Sequence, residues 1–208
     1  MAPRLDRPAW RPVLEGTTAA AARDAIGAVA RELGESAGES RRSADLAVFW
    51  AYVAGPFDDA WTQERYDEAT VALAKAVATG YPWAGLFGGA SGAGWALAHI
   101  SDQGAADEIL EAVDAALVGL LDVERWTADY DLIGGLVGYG VYFLERVANS
   151  PAPAARRGLA RVVDHLLAAS ERSEDGLAWL TAPERLSADQ RERSPGGYFN
   201  CEIGRAHV

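Results

Sequence analysis

The chain has 208 residues, half of them hydrophobic and 24% charged, with a formal net charge of −11. That length fits one domain or part of one, at roughly 150 residues per domain, and the acidic balance excludes the basic face that non-specific nucleic-acid or anionic-membrane binding requires. A single cysteine, Cys201, excludes an internal disulfide framework and any multi-cysteine metal site within this chain.

Residues 1–16 read as a polar leader. Met1-Ala-Pro-Arg-Leu-Asp-Arg-Pro has no apolar core of a secretory signal, so a cytoplasmic location is the expectation. Thr17–Leu33 follows as an amphipathic helix, with Thr17 as its N-cap. Ala44–Ala54 is a nearly uncharged helix, the pattern of a buried one. Asp58-Asp59 reads as the cap and dipole partner of the next helix, the amphipathic Glu64–Thr79, whose Glu64, Asp67 and Glu68 form a solvated face. From Ala76 to Ser101 no Asp, Glu, Lys or Arg occurs across 26 residues, long enough to raise the membrane question. Six glycines and Pro82 break that stretch into a helix end, a loop and a second uncharged helix, Ser91–Ile100, so no membrane insertion is expected. Ala105–Leu121 is amphipathic, Val137–Val147 is nearly uncharged, and Ala154–Ser170 is amphipathic, with Pro153 at or just ahead of its first turn. A longer polar segment, Ser170–Ser194, comes next. Few alternating runs suggest strands.

Outer, charged helices thus alternate with inner, uncharged ones, and the inner ones repeat. Gly88-Gly89-Ala-Ser-Gly-Ala-Gly94 and Gly134-Gly135-Leu-Val-Gly-Tyr-Gly140 share a constant spacing of 46 residues, 88 to 134. One period earlier lies Arg42–Phe49, inside the first inner helix, where the glycines are lost but the apolar helix is kept. Two helices per period of about that length indicate a helical repeat array. A further copy is expected to open at Gly196-Gly197, after an insertion in the polar segment. The fold class read from this is all-α.

The strings 88–94, Tyr130-Asp131-Leu132-Ile133-Gly134-Gly135-Leu136-Val137-Gly138 and Pro195-Gly196-Gly197-Tyr198-Phe199-Asn200 resemble the lanthionine synthetase C-like family. The resemblance implies an α/α toroid, a double ring of inner and outer helices, of which residues 17–201 are the N-terminal part, incomplete at the C-terminal end. It implies a fragment of a lanthionine synthetase, a cyclase that adds peptide Cys thiols to dehydroalanine or dehydrobutyrine to form thioether rings in lanthipeptide (lantibiotic) biosynthesis. The implied partners are the dehydrated precursor peptide and a dehydratase. The family's cofactor is Zn2+, held by two Cys and one His in its C-terminal half. No metal ligand is assigned in this chain, which is therefore expected to be inactive alone.

Two catalytic residues are carried over by the resemblance. Asp131 matches the family's catalytic Asp in the Tyr-Asp-x-Ile string; the alternative is a carboxylate capping the following helix. His207 matches a Gly-x-Ala-His string, Gly204-Arg-Ala-His207, displaced two residues from register. Glu202-Ile-Gly-Arg-Ala-His-Val208 is also what a common short-read sequencing adapter encodes in frame, and residues 202–208 are read as such an artefact.

Other residues carry blander readings. His99 reads as a satisfied buried or helix-terminal histidine, and His165 as a surface one beside Asp164. Trp83, Trp126 and Trp179 each precede a glycine motif; they either line a peptide-binding mouth or pack between helix layers. A P-loop and a Gly-x-Ser-x-Gly elbow are excluded by sequence. The competing function is a non-catalytic helical module that binds a peptide or acts as a scaffold. An α/α-toroid glycosidase needs two carboxylates facing one cavity, and only Asp131 is on offer.

Overall fold

The computed structural model describes residues 13–35, 43–102, 104–173, 176–181 and 183–203. The described residues include eight α-helices and one small sheet, so the fold is all-α in class. The helices are α1 (Gly16–Glu35), α2 (Ser43–Phe57), α3 (Ala60–Thr79), α4 (Ala90–Ile100), α5 (Asp107–Leu121), α6 (Leu136–Asn149), α7 (Pro153–Ala169) and α8 (Ala188–Arg193). Each of the seven helices expected between residues 17 and 170 is present. Asp59 caps α3, its carboxylate accepting the Thr62 N–H at 2.9 Å. Pro153 sits in the first turn of α7. The start of α1 differs from expectation: the helix begins one residue early, at Gly16, whose φ of +57° suits glycine, and Thr17 lies inside it.

Two layers follow from the two helix types. The nearly uncharged α2, α4 and α6 pack side by side, and the amphipathic α3, α5 and α7 pack side by side against them. Between the layers lies one core, including Leu73, Leu97, Ile100, Leu117, Leu136 and Phe143, all buried. The 26-residue uncharged stretch is the end of α3, a loop and α4. Among the described residues no helix is long and apolar enough to cross a membrane.

A buried ionic network bolts α6 to α5. The Arg146 guanidinium donates to Asp114 Oδ2 at 3.0 Å and to Asp107 Oδ1 at 2.7 Å. Tyr142 donates its hydroxyl to Asp114 Oδ1 at 2.7 Å, and Ser150 donates to Asp107 Oδ2 at 2.7 Å. Burial alone would pull the Arg146 guanidinium down, but its bonds to Asp114 and Asp107 raise it, so it stays charged. Burial, then the Asp114 charge, pushes the Tyr142 phenol far up. The Asp107 carboxyl is held below the usual range by the Ser150 and Arg146 hydrogen bonds.

The depressed Asp107 makes stability pH-dependent. Its contribution is complete above the unfolded value near pH 4 and is lost as pH falls through the lower folded value. The unfolding midpoint of the native chain is therefore expected to exceed that of Asp107→Asn at pH 6, and the gap to close only as pH falls through the lowered folded value. A gap that stays constant on acidification would contradict this assignment.

The region 170–203 departs from the helical expectation. Strands β1 (Ser170–Ser173), β2 (Gly176–Thr181) and β3 (Tyr198–Ile203) form an antiparallel sheet in the order β1-β2-β3, with a bulge between Leu177 and Trp179. The polar insertion read in the sequence is thus a hairpin followed by α8. The inner helix expected after Gly196-Gly197 is instead β3. The chain there is extended because its backbone pairs with β2, Thr181 opposite Tyr198 and Leu180 opposite Phe199.

Candidate functional site

The two glycine motifs lie where loops fold back over the first turns of α4 and α6. Before α4, the Ala90 and Ser91 N–H groups donate to Trp83 O and Ala84 O, at 2.9 and 3.1 Å. Before α6, Leu136 and Val137 donate to Asp129 O and Tyr130 O, both at 3.2 Å. Each bond is matched by one 46 residues on, so the sequence repeat is a repeat of backbone geometry. The glycines make it possible. A Cβ on Gly89 would meet Gly85 O at 2.5 Å, and one on Gly138 would meet Leu132 O at 2.5 Å. The same clash, with Leu86 O, awaits a Cβ on Gly92.

The loops also join each other. Leu86 N–H donates to Ile133 O at 2.8 Å, and Trp83 lies against Gly134. Leu86 and Phe87, with Val48, Trp95, Val141 and Asp45, line an apolar cavity of about 520 Å³ on the open side of the inner helices. The loop that carries Asp131 is therefore hydrogen-bonded to the cavity wall.

Asp131 is exposed on this rim. Its Oδ1 accepts the Ile133 N–H at 2.5 Å and the Gly134 N–H at 3.0 Å. This is a local Asp turn, not the helix cap weighed above: the N-cap of α6 is Gly135, with no side-chain cap bond. Both bonds use Oδ1 and fix the carboxylate's direction. Beside it, burial and the charges of Asp129 and Asp131 push the Tyr139 phenol up, and its hydroxyl donates to Gly134 O at 2.9 Å. The Tyr130 hydroxyl donates to Trp179 O at 2.8 Å and ties this rim to the sheet.

His207 lies outside the described residues, as do residues 1–12 of the leader and 204–208 of the adapter-like tail. The three tryptophans divide. Trp126 packs edge-on to Tyr139 and gives its indole N–H to Asp129 O, and Trp179 is buried with its N–H on Leu166 O. Trp83 alone stays 44% exposed on the rim.

His165 corrects the sequence reading. It is buried, bonded through Nε2 to Leu121 O at 2.9 Å, because Ala155, Gly158, Val162 and His165 form the inward stripe of α7. That helical spacing was the available signal. His99 is a helix-terminal histidine as read, but its setting was not foreseen. Nδ1 lies 3.0 Å from Glu145 Oε1, Nε2 lies 2.8 Å from the Tyr52 hydroxyl, and the ring stacks on Trp95 at 4.8 Å. The 46-residue period, which carries 99 to 145, was the signal.

Inner and outer helices in alternation, with glycine-locked loops that wall an apolar cavity, define a helical-repeat protein built around its inner face. A family model for lanthionine synthetase C-like protein matches residues 43–189, and the chain belongs to that family. No curated protein and no solved structure gives a significant match. Among the described residues no group of three His, Cys, Asp or Glu is placed to hold a metal ion, so these residues do not fit one.

Proposed function

We propose that the chain supplies the peptide-positioning and proton-handling part of a lanthionine-forming cyclase. Its substrate is a dehydrated, cysteine-bearing precursor peptide produced by a dehydratase. A cytoplasmic setting, where thiols stay reduced, suits a reaction that consumes a free thiol. In a complete α/α toroid the open face of α2, α4 and α6 would be the inside of the ring. Zn2+ would supply the thiolate in a complete family member, and no residue described here is assigned to hold it.

In the reaction, the peptide sulfur adds to the β-carbon of a dehydroamino acid. A C–S bond forms, the π pair moves toward the carbonyl as an enolate, and the α-carbon then takes a proton. The side from which that proton arrives sets the new stereocentre. Asp131 is assigned to deliver or steer it. The observation that carries this reading is the exposed Asp131 carboxylate, pinned through Oδ1 on the rim beside the apolar cavity, with Oδ2 left to handle the proton.

Thiol addition to dehydroalanine also proceeds slowly in free solution, which gives a test that needs no metal. A dehydrated, cysteine-bearing peptide is allowed to close with and without saturating full chain, and the diastereomers are separated chromatographically. The chain is expected to give about a tenfold excess of one diastereomer, equivalent to about 1.4 kcal/mol between the two faces. Asp131→Asn should return the ratio found in free solution. Saturable binding with an unbiased ratio would favour the scaffold reading. No binding would sink both.

A further inference from the structure

The helical repeat builds the apolar cavity. Trp95 and Val141, one 46-residue period apart, line it from α4 and α6, and Val48 lines it from α2. Gly88 lines it too, and a Cβ there would meet no atom within 4 Å, so the missing side chain leaves open room. At about 520 Å³ the cavity is of the size that holds ligands, roughly 300–1,000 Å³. The apolar surface continues past its mouth. Phe87, Leu132 and Ile133 are exposed on the two joined loops, and exposed Val137 carries the patch onto the first turn of α6. Single exposed apolar residues are ordinary, but a contiguous group around a cavity marks a binding surface.

Ile133 connects this surface to Asp131. Its N–H is held by Asp131 Oδ1, and its carbonyl oxygen accepts from the Leu86 and Phe87 N–H groups, at 2.8 and 3.3 Å. One residue and two hydrogen bonds therefore separate the carboxylate from the cavity wall, a path of about 10 Å, or three extended residues of a bound peptide. Charge narrows the occupant. Asp45 is the one charged side chain among the described residues that line the cavity, and Asp129 and Asp131 stand on the loop beside it. An acidic residue would meet like charges there, and an uncharged apolar one would not. We propose that the cavity is a specificity subsite of the precursor peptide. It seats a bulky apolar side chain, aromatic or branched aliphatic, within about three residues of the dehydroamino acid, and it rejects an acidic one. The inference rests on the cyclase reading for the identity of the peptide, but it concerns which peptide is held and not how the proton moves.

The test reads binding and not ring closure. Fluorescently labelled peptides with one dehydroalanine and no cysteine are titrated with the full chain and followed by anisotropy. The position two residues before or after the dehydroalanine holds Phe, Ala or Asp in turn. On one of the two sides Phe is expected to bind about tenfold or more tighter than Ala, as burial of an aromatic side chain implies, and Asp to bind weakest. Phe87→Ala trims an exposed ring and should cut the Phe advantage with the melting curve unchanged. Val141→Phe fills the cavity and should abolish the advantage, and Asp45→Asn should narrow the gap between Ala and Asp. Phe and Ala peptides bound equally well on both sides would overturn this inference and leave the Asp131 reading to its stereochemical test. A Phe preference without a diastereomer bias would uphold the subsite and sink the Asp131 assignment. No peptide binding would overturn both. Sedimentation of the chain alone tests the other occupant: a dimer that Val141→Phe returns to monomer would place a second copy in the cavity and overturn the inference.

Discussion

Replacing Arg146 with methionine is expected to destabilise the fold by about 3–5 kcal/mol, because it strands a charge that water cannot reach. Asp114 is fully buried, and its carboxylate is satisfied by the Arg146 guanidinium and the Tyr142 hydroxyl. Without the cation the Tyr142 bond alone remains. At about 2–4 °C per kcal/mol for a chain of this size, the melting temperature should fall by about 6–20 °C. Pairing Arg146→Met with Asp114→Leu should recover much of the loss, since exchanging both members of a buried pair for apolar residues is often close to neutral. Thermal and urea melts of the two single variants and the double variant check this. A single variant within about 1 kcal/mol of the native chain would mean that the network holds α5 to α6 far less firmly than its burial implies.

The second large effect is expected at Gly92. Alanine there places a Cβ against Leu86 O, which is backbone and cannot rotate away. Either the loop from Trp83 to Gly89 lifts off the first turn of α4 or the helix shifts. Overpacking costs typically 1–3 kcal/mol where side chains yield, so about 3 kcal/mol or more is expected against a fixed carbonyl. The lifted loop also carries Leu86 and Phe87 out of the cavity wall, so peptide binding should weaken with stability. Gly119→Ala is the control. It lies within α5 with no atom within 4 Å of an added Cβ, and alanine there should stabilise by up to about 1 kcal/mol through helix propensity. If both variants melted alike, the close fold-back of the loop would be refuted.

The glycine repeat shows how far sequence reading reached into the candidate site. The spacing identified Gly88–Gly94 and Gly134–Gly140 as equivalent. The two loop-to-helix backbone bonds before α4 recur before α6, because a missing Cβ is a local requirement written directly in residue type. Asp131 was legible for the same reason, as part of a contiguous string. What its carboxylate binds was not, since an Asp before a glycine pair suits a loop turn and a helix cap equally well. The His99 contacts needed more. The period placed Glu145 one repeat after His99, but only the packing of α2, α4 and α6 brought Tyr52 to the other nitrogen.

The sequence by itself determined the order of seven helices, which of them are inner and which outer, and the family. Hydrophobic periodicity and composition report one-sided or all-round burial over a few turns, and that information is local. The tertiary structure decided the partners. Arg146 meets Asp114 across 32 residues, and β3 finds β2 where another helix was expected. Those outcomes depend on packing register and on long-range backbone pairing, which bring together groups that no local pattern links.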